Sequence, residues 1–322
     1  MSNPRRLTIR ATLLAAALSL PPAHVDGAPR GELRAQSARV AHDTLRVGVL
    51  LPGDKAGSRR FDTAWQGVTL GAEEAARTAA LFGLAIEVLS ERAASRDGMM
   101  HTASRLLAHP VSALVGGFDE ASCRALAALA TERRVTFLAL ECTADRDHGD
   151  ECPRLVYYLQ PSAATLQRAR DTHARRAGTG YAGDLTIDLW HHTLGRYGAA
   201  QLNERYRRRF GADMDAAAWA GWMAMKILTE AALRARSTQA VDLTRYVARP
   251  AARFDGHKGE PLAFDRRTGE LRQPLYVVAR EIRGAEPGRV VAEVPTDVAY
   301  GRAATVLEDR SACGAASGVS PR

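Results

Sequence analysis

Short, mainly apolar runs alternate with helical stripes through the first half of the chain. Residues 45–51 are apolar apart from Arg46, as a largely buried strand requires, and residues 61–82 then place Ala64, Val68, Ala72 and Ala76 on one side of a helix. The alternation repeats with a strand at 84–89, a helix at 97–108, a strand at 111–115, a helix at 120–131 and a strand at 135–140. Three β-α units in succession predict an α/β fold, a parallel sheet with helices on both faces. Ligands of such sheets lie beyond the carboxyl ends of the strands, so the informative loops are 52–60, 116–119 and 141–150.

The second half is less regular. Residues 154–160 read as a strand closed by Pro161, and Ser162 reads as the N-cap of a helix of about two turns. Residues 171–182 show no clear period. Two helices follow at 201–210 and 215–235, the second with Trp219, Trp222, Met223 and Ile227 on one face, a stripe that core packing explains. Residues 255–259 and 266–269 read as turns and 274–279 as a strand, and beyond Ala299 the pattern is that of a loose tail.

The first 28 residues carry a different signal. Arg5, Arg6 and Arg10 precede an apolar stretch from Ala11 to Leu20, then Pro21, Pro22 and small residues up to Ala28, which is the order of a cleaved secretory leader. A general secretory route fits better than the twin-arginine one, because Leu7, Thr8 and Ile9 match the latter loosely. The chain has a net charge of +8, and loss of the leader leaves +6. Only Lys55, Lys226 and Lys258 are lysines and the arginines are spread along the whole length, so this charge is a compositional bias and not a nucleic-acid surface. No apolar run reaches the roughly 18 residues that a membrane-spanning helix needs.

Export to an oxidising compartment favours disulfides for Cys123, Cys142, Cys152 and Cys313. Cys142 with Cys152 is the preferred pair, because the two bracket a short polar loop, with Cys123–Cys152 and Cys123–Cys142 as alternatives. The acidic run Asp145, Asp147, His148, Asp150 and Glu151 lacks the glycine and glutamate spacing of a calcium loop. His191 and His192 are adjacent and on a helix would diverge by about 100°. Gly178, Gly180 and Gly183 match a dinucleotide fingerprint by letter, without the strand that must precede it. No nucleophile elbow, phosphate-binding loop or HExxH is present, which argues against an enzyme and against a bound cofactor.

Two segments carry a resemblance. "LNERYRRRFGADMDAAAWAGWMAMKILTEAALRA" (202–235) and "PLAFDRRTGELRQPLYVV" (261–278) resemble the C-terminal part of type I periplasmic binding proteins, the leucine/isoleucine/valine-type receptors of ABC transporters. "GDLTIDLWHHTLGRYGAAQLNERYRRRFG" (183–211) and "FDGHKGEPLAFDRRTGELRQPLYVV" (254–278) resemble the branch associated with PQQ-dependent alcohol dehydrogenase systems. The resemblance implies two lobes joined by three chain crossings, with ligand between them. Lobe one would hold 44–160 and 184–250, and a truncated lobe two 161–183 and 251–295, with residues 171–183 as its last strand. It further implies a periplasmic solute-binding component, its partners a small polar or amino-acid-like ligand, an inner-membrane permease and a quinoprotein dehydrogenase system. The expected ligand contacts are Gly116, Gly117 and Asp119, where a turn meets a helix N-terminus, together with Ser122, Glu141 and Thr143. In this resemblance Ser122 and Thr143 supply hydroxyls.

Overall fold

The computed structural model describes residues 5–9, 43–52, 58–93, 98–144, 155–177, 185–279 and 288–301. Two strands at the start of the chain, β1 (Arg5–Ile9) and β2 (Asp43–Pro52), belong to one six-stranded sheet. β2 pairs in parallel with β3 (Leu84–Ala93) on one side and β4 (Ala113–Gly116) on the other, and β5 (Thr136–Ala139) and β6 (Val156–Tyr158) extend the sheet in parallel. The resulting order β3-β2-β4-β5-β6 places the first strand inside the sheet, so the chain winds first one way and then the other. Arg5–Ile9 adds antiparallel to the edge of β3, with Arg5 opposite Ser90 and Ile9 opposite Ile86. The remainder of the expected leader, residues 1–4 and 10–28, lies outside the described residues.

Both faces of this sheet are covered. Leu50, Leu89, Leu114 and Phe137 pack with Leu106 of α2 (Gly98–Leu106) and Leu126 of α3 (Glu120–Arg133). On the opposite face Val47, Val49, Val88 and Leu138 meet Val68 and Ala72 of α1 (Ser58–Ala80). Three glycines permit a close crossing of α1 with a later helix, α6 (Ala216–Ala235): a Cβ at Gly67 would strike the Ala218 backbone, one at Gly71 would lie 2.9 Å from the Trp222 carbonyl, and one at Gly221 would strike the Ala64 carbonyl. The Trp219, Trp222 and Met223 stripe is buried there, as the helical spacing predicts.

The segment after β6 departs from expectation. Ser162 does cap a helix, its Oγ accepting from the Thr165 N–H at 3.3 Å, but that helix, α4 (Ala163–Ala177), runs for 15 residues, about four turns. Residues 171–177 are therefore helical where a strand was expected. Alanine and arginine favour helix here, and Gln167 donates to Asp171 at 2.7 Å one turn along. The strand comes later, as β7 (Leu185–Asp188), and pairs antiparallel with β11 (Leu275–Ala279), which pairs in turn with β12 (Arg289–Val294). α4 packs on this small sheet and on α8 (Thr296–Tyr300).

Between β7 and β11 the chain returns to the large sheet. α5 (Ala199–Phe210) and α6 pack on α1, and α7 (Ala240–Val247), which the sequence pattern did not single out, reaches β5 through a 2.6 Å contact between the hydroxyls of Thr244 and Thr136. A short meander of β8 (Phe254–Asp255), β9 (Pro261–Phe264) and β10 (Leu271–Arg272) then lies against α6 and β6. The Trp219 indole donates to the Gly256 carbonyl, and the rings of Phe264 and Tyr157 stand 4.6 Å apart. A single hydrophobic cluster runs from Val47 and Trp219 to Leu189, Leu275 and Val294, so the small sheet and the large one share a core.

Candidate functional site

β4 and β5 are parallel neighbours, and their carboxyl ends open into the turns that carry the expected ligand contacts. Gly116 ends β4 and is buried, and Gly117 follows with φ +78°, a left-handed conformation that glycine adopts without strain. That backbone turn points the Gly117 carbonyl at the neighbouring strand exit, where it accepts from the Glu141 N–H at 3.0 Å, while Gly116 accepts from Leu140 at 2.9 Å. Gly116, Gly117 and Glu141 are thus brought together. Thr143, exposed, lies one step further, and its carbonyl accepts from the N–H of Ala163 at 2.6 Å, which fastens the same edge to the start of α4.

Asp119 and Ser122 have a different assignment from that expected. Asp119 is the N-cap of α3, and its carboxylate accepts from the Ser122 N–H at 2.8 Å. The Ser122 hydroxyl, 2% exposed, accepts from the Phe118 and Asp119 N–H groups and donates to the Asp119 carbonyl at 2.9 Å. This reciprocal cap consumes the helix N-terminus that was expected to hold an anionic ligand, because the chain's own carboxylate already sits there. The signal was legible in principle: an acidic N-cap followed three residues later by serine is a local capping pattern.

The disulfide also differs from the preferred pair. Cys142 is bonded to Cys123, with a Cα–Cα distance of 6.1 Å, which removes it from Cys152. The physical reason lies in the fold: Cys123 is in the first turn of α3 and Cys142 follows β5, so both emerge at the carboxyl edge of adjacent strands, a proximity that spacing along the chain does not reveal. Cys152, Cys313, the acidic run 145–151 and the glycines 178, 180 and 183 lie outside the described residues. A Cβ at Gly117 would sit 3.0 Å from Cys123 Sγ, 3.1 Å from Cys142 Sγ and 3.2 Å from Phe137 Cζ, so the bridge is packed directly under the turn.

Phe61 and Phe118, which sequence reasoning did not single out, meet at this edge. They are half-buried and pack edge to face with centroids 4.9 Å apart, one from the first turns of α1 and one from the turn after β4. Arg92 at the end of β3 donates to Asp62 at 3.0 Å beside them. The edge therefore offers an aromatic ledge, the exposed Thr143 and the half-buried carboxylates of Asp119 and Glu141. Among the described residues no group of three or more His, Cys, Asp or Glu is placed to hold a metal ion.

His191 and His192 lie in the loop after β7, outside any helix, and their rings approach to 4.3 Å instead of diverging. Burial, and then the neighbouring His192, lower the pKa of His191 to about 4 against the pull of Asp213.

A periplasmic binding protein of Burkholderia mallei shares the architecture with a TM-score of 0.66 at 12% identity, over 80% of this chain and 96% of that one. The fold is that of type I periplasmic binding proteins. A solute-binding protein of an ABC transporter from Rhodopseudomonas palustris, in complex with 3,4-dihydroxybenzoic acid, has the same type I fold with a TM-score of 0.63 at 14% identity, over 79% and 98%. A branched-chain amino acid transporter binding protein of Streptococcus pneumoniae, in complex with isoleucine, matches with a TM-score of 0.61 at 14% identity, over 77% and 99%. No protein-family model matches the chain, and no curated protein matches its sequence.

Proposed function

We propose that this chain is a periplasmic solute-binding protein, not an enzyme, working with an inner-membrane ABC permease. The observation that carries this reading is the junction of the Gly117 and Glu141 turns by one backbone hydrogen bond at the carboxyl edge of a type I sheet, the edge where such folds bind. Neighbours of this fold hold amino acids or aromatic acids. The ligand is a small polar compound met by Gly116, Gly117, Glu141 and Thr143, with the Phe61–Phe118 pair as its apolar wall. Asp119 and Ser122 hold the turn in shape.

On this reading residues 43–159 and 190–273 form one lobe. Residues 162–188 and 274–301 form a second, much smaller one, because Leu185–Asp188 pairs with β11 while the meander 254–272 packs on α6. A short second lobe buries few ligand atoms, so binding is weak. Titration calorimetry with isoleucine, benzoate and 3,4-dihydroxybenzoate tests this. The expected result is weak heat for at least one of the three, lost in the Glu141→Gln/Thr143→Ala variant. Heat unchanged in that variant would reject the site.

A second reading is a non-binding accessory protein of a quinoprotein alcohol dehydrogenase system. It is favoured by the Asp119 cap, which occupies the one helix N-terminus at this edge expected to hold an anionic group. Absence of heat with all three solutes, in the parent as in the variant, would support it.

A further inference from the structure

Lys258, in the loop between β8 and β9, is 1% exposed, although lysine is seldom buried so completely. Its ammonium donates to the Leu189 carbonyl at 2.5 Å, to Gln273 Oε1 at 2.7 Å and to the Pro274 carbonyl at 3.2 Å. Three donors meet three acceptors, which is the condition under which a buried ammonium is tolerated. The Trp219 ring lies 4.1 Å away and the Tyr276 ring 5.1 Å away, so aromatic faces close the rest of the shell. Trp219 in turn stacks on Trp190, and the Trp190 indole donates to Asn203 at 2.8 Å.

Gln273 carries the contact onward. It is fully buried, and while its Oε1 accepts from Lys258 its Nε2 donates to the Leu159 carbonyl at 2.9 Å and the Leu271 carbonyl at 3.2 Å. Leu159 follows β6, Leu189 follows β7, and Gln273 and Pro274 precede β11. Those are the three places where the chain passes between its two parts. Two side chains, distant in sequence from the first two crossings, therefore hold all three backbones.

We propose that Lys258 and Gln273 form a buried knot that fixes the three crossings to one another, so that the small second lobe is locked in one orientation and does not hinge. The proposal rests on the lobe division given above, but not on any ligand. In a chain whose second lobe is too small to be a body of its own, the knot supplies at the crossings the rigidity that a second core would otherwise give. It also explains why position 258 is a lysine in a sequence that otherwise uses arginine almost throughout: a compact ammonium with three rotatable donors fits a pocket of converging carbonyls, and a planar guanidinium does not.

Peptide-level hydrogen exchange on the full-length protein tests the knot, with Lys258→Met and Gln273→Glu as probes. Met removes the donor and keeps the apolar stem. Glu keeps an acceptor for Lys258 but cannot donate to Leu159, so it separates the first crossing from the other two. The expected result for Lys258→Met is exchange faster by about tenfold or more, a loss of roughly 1.4 kcal/mol in opening free energy per factor of ten, in peptides covering 185–192 and 271–277. β4 and β5 should be unchanged. For Gln273→Glu the increase should appear first in peptides covering 156–162.

An equal increase across the whole sheet in either variant would show general core packing and overturn the proposal, as would unchanged exchange at the crossings. If Lys258→Met does not fold, Gln273→Glu decides alone by the same criterion. Failure of both to fold would assign the pair to folding as a whole and also overturn it. Exchange needs no solute, so a failed knot leaves the ligand test standing, and a failed ligand test leaves the knot standing.

Discussion

Thr193 donates its N–H to Nδ1 of His191 at 3.3 Å, a contact that the imidazole accepts only while that nitrogen is unprotonated. Burial and the adjacent His192 act in the same direction and Asp213 opposes them, so the folded protein holds His191 neutral down to a pKa of about 4. His257, stacked on Trp222, is likewise lowered, first by burial and then by Lys226 and Arg205, with Asp255 and Glu74 opposing. The sign follows from linkage. A folded-state pKa below the unfolded value of about 6.5 means that the unfolded chain takes up protons first as the pH falls, so the contribution of His191 to stability is complete above about 6.5 and is lost between there and about 4. The melting temperature should therefore drop across that window, and His191→Gln should fall less steeply than the parent in parallel melts at pH 7 and pH 4.5. Equal slopes would show that His191 titrates alike in both states.

The residue scale is also where sequence reading went furthest and stopped. Gly116, Gly117 and Glu141 fall at one edge on the sequence pattern alone, because the residues that follow successive parallel strands, here β4 and β5, emerge together. Ser122 is ambiguous in the sequence, since a hydroxyl at a helix start serves a cap or a ligand equally well until its partners are known. Lys258 gave no warning: burial of a lone lysine depends on backbone carbonyls contributed from positions 189 and 274, which no local pattern encodes.

At the scale of elements, hydrophobic periodicity located the β-α units before residue 160 because each strand is buried on both faces and each helix has one apolar stripe. It faltered at α4, most of whose surface is exposed, leaving Thr165, Leu166 and Ala169 as a sparse inward stripe. The crossing of α1 with α6 was invisible for another reason: it depends on missing side chains. Gly221→Ala would drive a methyl into the Ala64 carbonyl, and neither helix can withdraw while the other residues of both stay packed. The expected cost is on the order of 1–3 kcal/mol, the range for overpacking a filled core. Gly195→Ala, with nothing within 4 Å of the added carbon, should change stability by less than about 0.5 kcal/mol. Urea titration of the two variants side by side checks the contrast, and a Gly221→Ala protein as stable as Gly195→Ala would mean that the helices slide apart at little cost.

At the scale of the whole molecule, the telling feature is that one hydrophobic cluster runs through both sheets. Val277 at the centre of the small sheet is fully buried and belongs to the same cluster as Val47 of the large sheet and Trp219 and Leu228 of α6. A sheet of three strands with one long helix cannot bury enough apolar surface to stand alone, so its stability must come from the larger body. Two lobes with separate cores can unfold in separate steps. Here the three-stranded sheet has no separate core to lose, and melting it would expose Leu189, Leu275 and Trp190 of the shared one. The expectation is a single calorimetric transition with van't Hoff and calorimetric enthalpies that agree, reported alike by tryptophan fluorescence, which follows Trp65, Trp190, Trp219 and Trp222, and by far-ultraviolet circular dichroism, which follows the helices and sheets. Two resolved transitions, the earlier one affecting only the 162–188 and 274–301 segments, would show instead that the small sheet and its helices melt as a body of their own.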